Sequence, residues 1–106
     1  MSAIEIHVTA NTQSNPVKIN GTFAVQVVGD LGGGTLTPQG RLRELRADGS
    51  EESFSPFVDP ATLTNFTFTA AGGFELTWNG EFRASMASGS SPDFYVLLTE
   101  IKTVKI

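Results

Sequence analysis

Apolar side chains recur at every second position through most of this chain, and that period decides what it can become. In "AIEIHVT", Ile4, Ile6 and Val8 fall on one face and Glu5, His7 and Thr9 on the other. "NGTFAVQVVG" repeats the pattern with Phe23, Val25 and Val27. "NFTFT" aligns Phe66 with Phe68, "GFELTW" aligns Phe74, Leu76 and Trp78, and "EFRASMA" aligns Phe82, Ala84 and Met86. Such alternation suits strands that bury one face, whereas a helix needs its apolar residues three and four apart. "DFYVLLTEI" is apolar on both faces, with Phe94, Val96 and Leu98 against Tyr95 and Leu97, as a central strand or one buried at an interface requires.

Turn-forming pairs separate these runs: Asn20-Gly21, Asp48-Gly49, Gly72-Gly73 and Asn79-Gly80. Asn and Gly tolerate the positive φ of hairpin turns, so "WNGEF" is expected to be a hairpin in which Trp78 ends one strand and Glu81 opens the next. Glu75 and Glu81 then flank that turn as solvated edge charges. "SGSSPD" reads as a longer loop before the penultimate strand. Helix signals are sparse. "RLRELRADG" carries Leu42 and Leu45 at helical spacing, but Pro38, Gly40 and Gly49 enclose it, and a strand is expected there. "DPATLT" fits a single helical turn, with Pro after an Asp cap. The 106 residues suit one domain. The expected fold is all-β: a single antiparallel β-sandwich over residues 1–106, jelly-roll or Ig-like, of about seven to nine short strands.

The run Gly32-Gly33-Gly34 poses the main chemical question, because glycine-rich loops also cradle phosphate. A phosphate loop leads into a helix opened by Lys and Ser or Thr, whose amides and dipole meet the anion. Here "TLTPQG" comes next, without lysine and with strand character. The run is therefore expected to supply backbone angles at a tight strand connection or bulge.

Composition narrows the remaining classes. The chain has no cysteine, so disulfides, thiolate metal sites and cysteine nucleophiles are excluded. Its net charge is −4 with seven Lys and Arg, which disfavours nucleic acid as a partner. No apolar run has the length of a membrane helix, and "MSAIEIHVTA" lacks the basic and apolar regions of a signal peptide. The single histidine, His7, faces away from the apolar side of its strand, and no G-x-S-x-G elbow accompanies it. "DGSEES" lacks the regular acidic spacing of a calcium loop. No catalytic residue, metal ligand or cofactor is expected.

One longer pattern carries a resemblance. "GTFAVQVVGDLGGGTLTPQGR", then "ADGS", then "AAGGFELTWNGEFRASMASGSSPDFYVLL" resembles a recurring arrangement in small structural proteins of tailed bacteriophages. There a strand leads into G-x-(F/L/W)-G-G-(A/G)-T-(V/L)-T, followed by a DG turn, an aromatic-rich hairpin with a (Y/F)-R-A strand, a Ser/Gly loop and a final apolar strand. Gly29, Gly32, Gly33, Thr35, Leu36, Thr37, Asp48, Gly49, Phe82, Arg83 and Ala84 carry the match. Leu31 departs from the aromatic often found at its position, and "SFSPFVDPATL" is an added segment. The resemblance implies a virion role, foremost that of a capsid decoration (cement) protein, made in the host bacterial cytoplasm and placed on the capsid surface. Its implied partners are the major capsid protein and copies of itself, with a trimer at three-fold joints. The alternative is a carbohydrate-binding or adhesin module of a tail or fibre, with an aromatic platform around Trp78 or Tyr95.

Eight residues are the expected contacts with other polypeptides. Arg41, Arg43 and Arg46 form the one basic cluster, and guanidinium groups suit paired carboxylate contacts. Trp78 is expected beside a turn. Ile4, Ile6, Val104 and Ile106 belong to apolar-patterned terminal segments able to pair with a neighbour's edge strand.

Overall fold

Every register in the main sheet runs without a bulge, which lets the period-two pattern keep its phase over long distances. The computed structural model describes residues 3–59 and 61–101, and these form eight strands with no helix. They are β1 (Ala3–Val8), β2 (Val17–Asp30), β3 (Thr35–Arg41), β4 (Ser55–Pro56), β5 (Val58–Asp59), β6 (Thr64–Asn65), β7 (Gly72–Ala87) and β8 (Asp93–Glu100). Six make an antiparallel sheet in the order β1-β8-β2-β7-β3-β4, and β5 with β6 makes a small second sheet. The molecule is flattened, 44 × 41 × 29 Å along its principal axes. This is the all-β, sandwich-like architecture expected, although two of its strands are long: β2 has 14 residues and β7 has 16.

Those two strands form the spine. Val17–Val27 pairs along Gly72–Phe82. At the far end of β2, Phe23–Asp30 also pairs with β8, which in turn carries β1. At the far end of β7, Glu81–Ala87 pairs with β3 instead. Beside that half, Gln13 bridges to Ser85, the amide of Ser14 donates to the Ala84 carbonyl and the amide of Met86 to that of Thr12. The spine thus feeds both layers, and the layers close over one core. Phe82, Phe94, Leu36, Leu98, Val25, Val27 and Val96 are its fully enclosed large side chains. Each is worth roughly 1.5–3 kcal/mol relative to exposure.

The expected hairpin at Asn79-Gly80 is not there, and neither is a turn at Asn20-Gly21. Both dipeptides lie mid-strand and opposite each other: Asn20 pairs with Asn79, Ile19 with Gly80, and Gly21 with Trp78. The phase of the side chains explains why. Phe74, Leu76 and Trp78 share even parity with Phe82, Ala84 and Met86, so "GFELTW" and "EFRASMA" are one continuous strand. Glycine is needed at position 80 by crowding, since a Cβ there would lie 2.4 Å from the Arg41 carbonyl oxygen. Gly72-Gly73 also enters a strand, opposite Val27 and Gln26. Asp48-Gly49 does form a turn: the Gly49 amide donates to the Arg46 carbonyl, with φ +86° at the glycine. "DPATLT" closes the β5–β6 hairpin as a turn, in which the Asp59 carboxylate accepts the Ala61 amide and its carbonyl accepts the Leu63 amide. The strand expected over "RLRELRADG" ends at Arg41; Leu42 onward is an irregular arm with one bridge, Leu45 to Glu51.

The glycine run sits where the chain crosses from layer to layer. Gly32 and Gly33 have φ of +64° and +79°, and the Gly34 amide donates to the Leu31 carbonyl, which closes a tight turn between β2 and β3. The β7–β8 connection crosses beside it, with the Ser90 amide on the Gly32 carbonyl at 2.9 Å. A Cβ on Gly34 would meet the Gly89 amide nitrogen at 2.4 Å, so the backbones touch. A third crossing joins them: Asn11 donates to the Gly89 carbonyl and accepts from the Gly89 amide. The amides of Gly32 and Gly34 are spent on Asp30 and Leu31, and the chain continues into β3 rather than a helix.

Candidate interaction surfaces

The three arginines of the basic cluster do not act together. Arg41, the last residue of β3, points to the face of the sheet away from the core, where Glu81 stands opposite it on β7. It is not free to dock on a neighbour. The arm of residues 42–54 folds back over it and leaves it 6% exposed. Its Nε donates to Glu81 Oε1 at 2.7 Å, and its Nη1 donates to Glu51 Oε1 at 2.8 Å and to the Glu52 carbonyl at 3.0 Å. Glu81, expected as a solvated edge charge, is buried with it. The hydrogen bond to Glu51 and then that to Glu81 hold the Arg41 guanidinium above its usual value, against the opposing effect of desolvation.

Phe54 anchors the far end of the arm. Its ring lies under two guanidiniums, Arg41 at 4.4 Å and Arg83 at 4.0 Å. Stacking on the π face suits Arg because its planar cation is weakly hydrated. Arg83 donates to Gln39 across the β3–β7 ladder. Its pKa is pushed down, first by desolvation and then by the charge of Arg41. Glu52 caps the start of the arm, accepting the amides of Leu42 and Arg43 and pairing with Arg43 Nε at 3.4 Å. Arg41 and Arg43 thus pair with three glutamates (51, 52 and 81), with Arg83 stacked beside them on Phe54, and this cluster holds the arm. Arg46 uses its backbone to close the Asp48-Gly49 turn, and among the described residues its exposed side chain makes no ion pair. The Asp48 carboxylate accepts the hydroxyl and the amide of Ser50, which holds it below the usual aspartate range.

This clamp was hidden in the sequence. Gln39 and Arg41 share one parity on β3, as Glu81 and Arg83 do on β7, but their complementarity emerges only once the two strands are paired. Nothing local marks Phe54 as the cover.

Trp78 is half-buried against Phe57, edge-on at 5.0 Å, and its Nε1 donates to the Glu81 carbonyl. It lies mid-strand, packed against the core, rather than beside a turn. Phe66 and Phe68 each stack on Phe74. Ile6 is buried in the core and Ile4 is packed against it, so on β1 the exposed side chains include Glu5 and His7. His7 stacks on Tyr95 at 4.2 Å and hydrogen-bonds Asp93 Oδ1 at 2.7 Å. Val104 and Ile106 lie outside the described residues.

The most exposed apolar groups gather on two excursions, while Val28, Tyr95 and Ile101 reach solvent to a lesser degree on or beside β2 and β8. Leu42 and Leu45 on the arm are 66% and 55% exposed, and Val58 and Leu63 on the β5–β6 hairpin are 50% and 80% exposed. A groove of about 440 Å³ runs beside the arm, lined in part by Lys18, Asn20, Leu42, Arg43 and Asn79. A shallower recess of about 350 Å³ lies at Glu51–Phe54 and Arg83. Among the described residues no group of three potential metal ligands gathers, and no helix is long and apolar enough to cross a membrane. Compared with known proteins, the chain matches no protein-family model, and neither the curated proteins nor the solved structures yield a relative.

Proposed function

We propose that this protein is a structural component of a bacteriophage virion, a decoration protein that binds the major capsid protein and copies of itself on the capsid surface. One observation supports this reading above the others: the arm of residues 42–54 presents Leu42 and Leu45 to solvent while its root is tied down by Arg41, Glu81 and Phe54. Apolar side chains on a restrained support lose little freedom when a partner covers them, which is the condition for adhesion without chemistry. The residues that carry the phage resemblance support it from another side. Gly32 and Gly33 shape the layer crossing, Leu36, Phe82 and Ala84 fill the core, and Arg83 holds Phe54. Their roles are those of a scaffold, so proteins sharing them would share this frame and differ in their exposed loops.

The test is rebinding. Purified protein is added to heads of the encoding phage that have been stripped of it, and binding is read by co-sedimentation. Wild type is expected to rebind, and the double variant Leu42→Asp/Leu45→Asp to stay in the supernatant with an unchanged circular dichroism spectrum. Wild-type protein that never sediments with heads overturns the proposal, as does binding that free sugars displace.

A further inference from the structure

β1 ends the main sheet. Its inner edge pairs with β8, and among the described residues nothing pairs with its outer edge. Natural edge strands usually carry guards against pairing, among them a short length, charged side chains, a proline, a bulge or an inward charge. Ala3–Val8 has no proline, glycine or bulge, and its inward side chains Ile4, Ile6 and Val8 are all apolar. Its outward side chains include one acid, Glu5, and the histidine, two residues apart.

Two copies of such an edge meet around a two-fold axis, and the axis must pass through a residue if inward side chains are to face inward ones. An axis through Glu5 sets Glu5 against Glu5, a like-charge pair. One through His7 sets His7 against itself and leaves Ile4 opposite a residue beyond the strand. An axis through Ile4 leaves Ile6, His7 and Val8 without partners in the strand. An axis through Ile6 sets Ile4 opposite Val8, Ile6 opposite Ile6, and Glu5 opposite His7 twice. Only this last register matches charge and apolar faces together. Within its own copy the His7 ring is fixed by its stack on Tyr95 and gives Nε2 to Asp93, both on β8, so the incoming Glu5 meets the remaining edge of the ring.

We infer that β1 pairs antiparallel with β1 of a second copy of this chain, in the register centred on Ile6 with Glu5 of each copy against His7 of the other. The two six-stranded sheets then become one. A six-residue edge buries less than the roughly 1,600 Å² of a standard interface, so the dimer is a weak, concentration-dependent one. This pairing goes beyond the virion reading and stands without it.

Because the chain has no cysteine, engineered thiols report the register directly. Directly opposite residues bring their Cβ atoms to about 4.5–5.5 Å and diagonal ones to about 7–8 Å, against about 3.8 Å in a disulfide. Glu5→Cys and His7→Cys proteins are oxidised mildly, separately and mixed. The mixture is expected to give a cross-linked dimer of one chain of each kind, and neither protein alone to do so. In sedimentation equilibrium, Glu5→Lys is expected to weaken wild-type dimerisation by about two- to thirty-fold, since it removes two cross-strand pairs. Efficient cross-linking of Glu5→Cys with itself assigns another register and overturns the inference. So does wild-type protein that sediments as a monomer up to about 1 mM. Neither readout involves phage heads, so failure here is distinct from failure of the rebinding test.

Discussion

The two Asn-Gly pairs offer the sharpest test of the fold, because a turn and a continuous strand respond differently to substitution at them. Consider Gly80→Ala and Asn79→Val. In the structure Gly80 has ordinary strand geometry, but a Cβ would stand 2.4 Å from the Arg41 carbonyl oxygen. The closest ordinary C–H···O approach is about 3.3 Å, so the end of β3 must retreat by roughly 0.9 Å. It is poorly placed to do so, because Arg41 is tied to Glu81 and Glu51. Overpacking of this kind costs about 1–3 kcal/mol, and replacing a strand glycine by alanine returns about 0.5–1 kcal/mol. The net loss is up to about 2.5 kcal/mol, or up to roughly 20 °C in Tm for a domain of this size. Asn79 is exposed mid-strand, and valine there gains strand propensity, so Asn79→Val should leave stability unchanged or raise it by under about 1 kcal/mol. If the dipeptide were a hairpin turn, its asparagine would need positive φ, where valine costs about 1–2 kcal/mol or more. Both variants would then lose stability together. Thermal and urea unfolding followed by circular dichroism decide between these outcomes. A Tm for Asn79→Val as low as that for Gly80→Ala would falsify the continuous strand β7.

The same contacts carry other consequences. Phe82→Ala empties a site of zero exposure and should cost about 3–5 kcal/mol, read from the urea midpoint; a loss below about 1 kcal/mol would mean that the layers do not close over it. Arg41→Lys removes the planar fork that holds Glu81 and Glu51, so the arm should loosen and trypsin should cleave faster after Arg43 and Arg46; an unchanged cleavage rate would show that the clamp does not restrain the arm. Asp48 should titrate below its unfolded value near 3.8 in an NMR titration, and Ser50→Ala should move it back toward that value. With a depressed folded pKa, the stabilisation from Asp48 is present above pH 3.8 and fades as pH falls through the folded value, so the Ser50→Ala deficit should shrink in acid.

Much of the architecture is written in the alternation itself. A half-buried strand cannot hide its period, so β1, β2 and β8 are recognisable from residues such as Ile4, Ile6 and Val8 or Phe94, Val96 and Leu98. The glycine run is recognisable as a connection because the segment after it, "TLTPQG", has strand character and no lysine. The parity of Phe74 through Met86 held the information that β7 is unbroken, but Asn79-Gly80 is a strong local turn signal and masked it. Local propensity yields when a long register with β2 pairs the backbone on both sides of the dipeptide and sets Trp78 opposite Gly21. Partnership between distant residues lies beyond any pattern along the chain. That Arg41 belongs to Glu81, that Phe54 covers two guanidiniums, and that Trp78 is packed against the core while Leu42 is exposed all depend on which strands become neighbours. The sequence alone determines which face of each strand seeks the core, because that is a property of one segment and its period. The tertiary structure alone decides which charges are neutralised and which apolar groups stay exposed, because burial and pairing are relations between distant segments, as between Gln39 and Arg83, 44 positions apart.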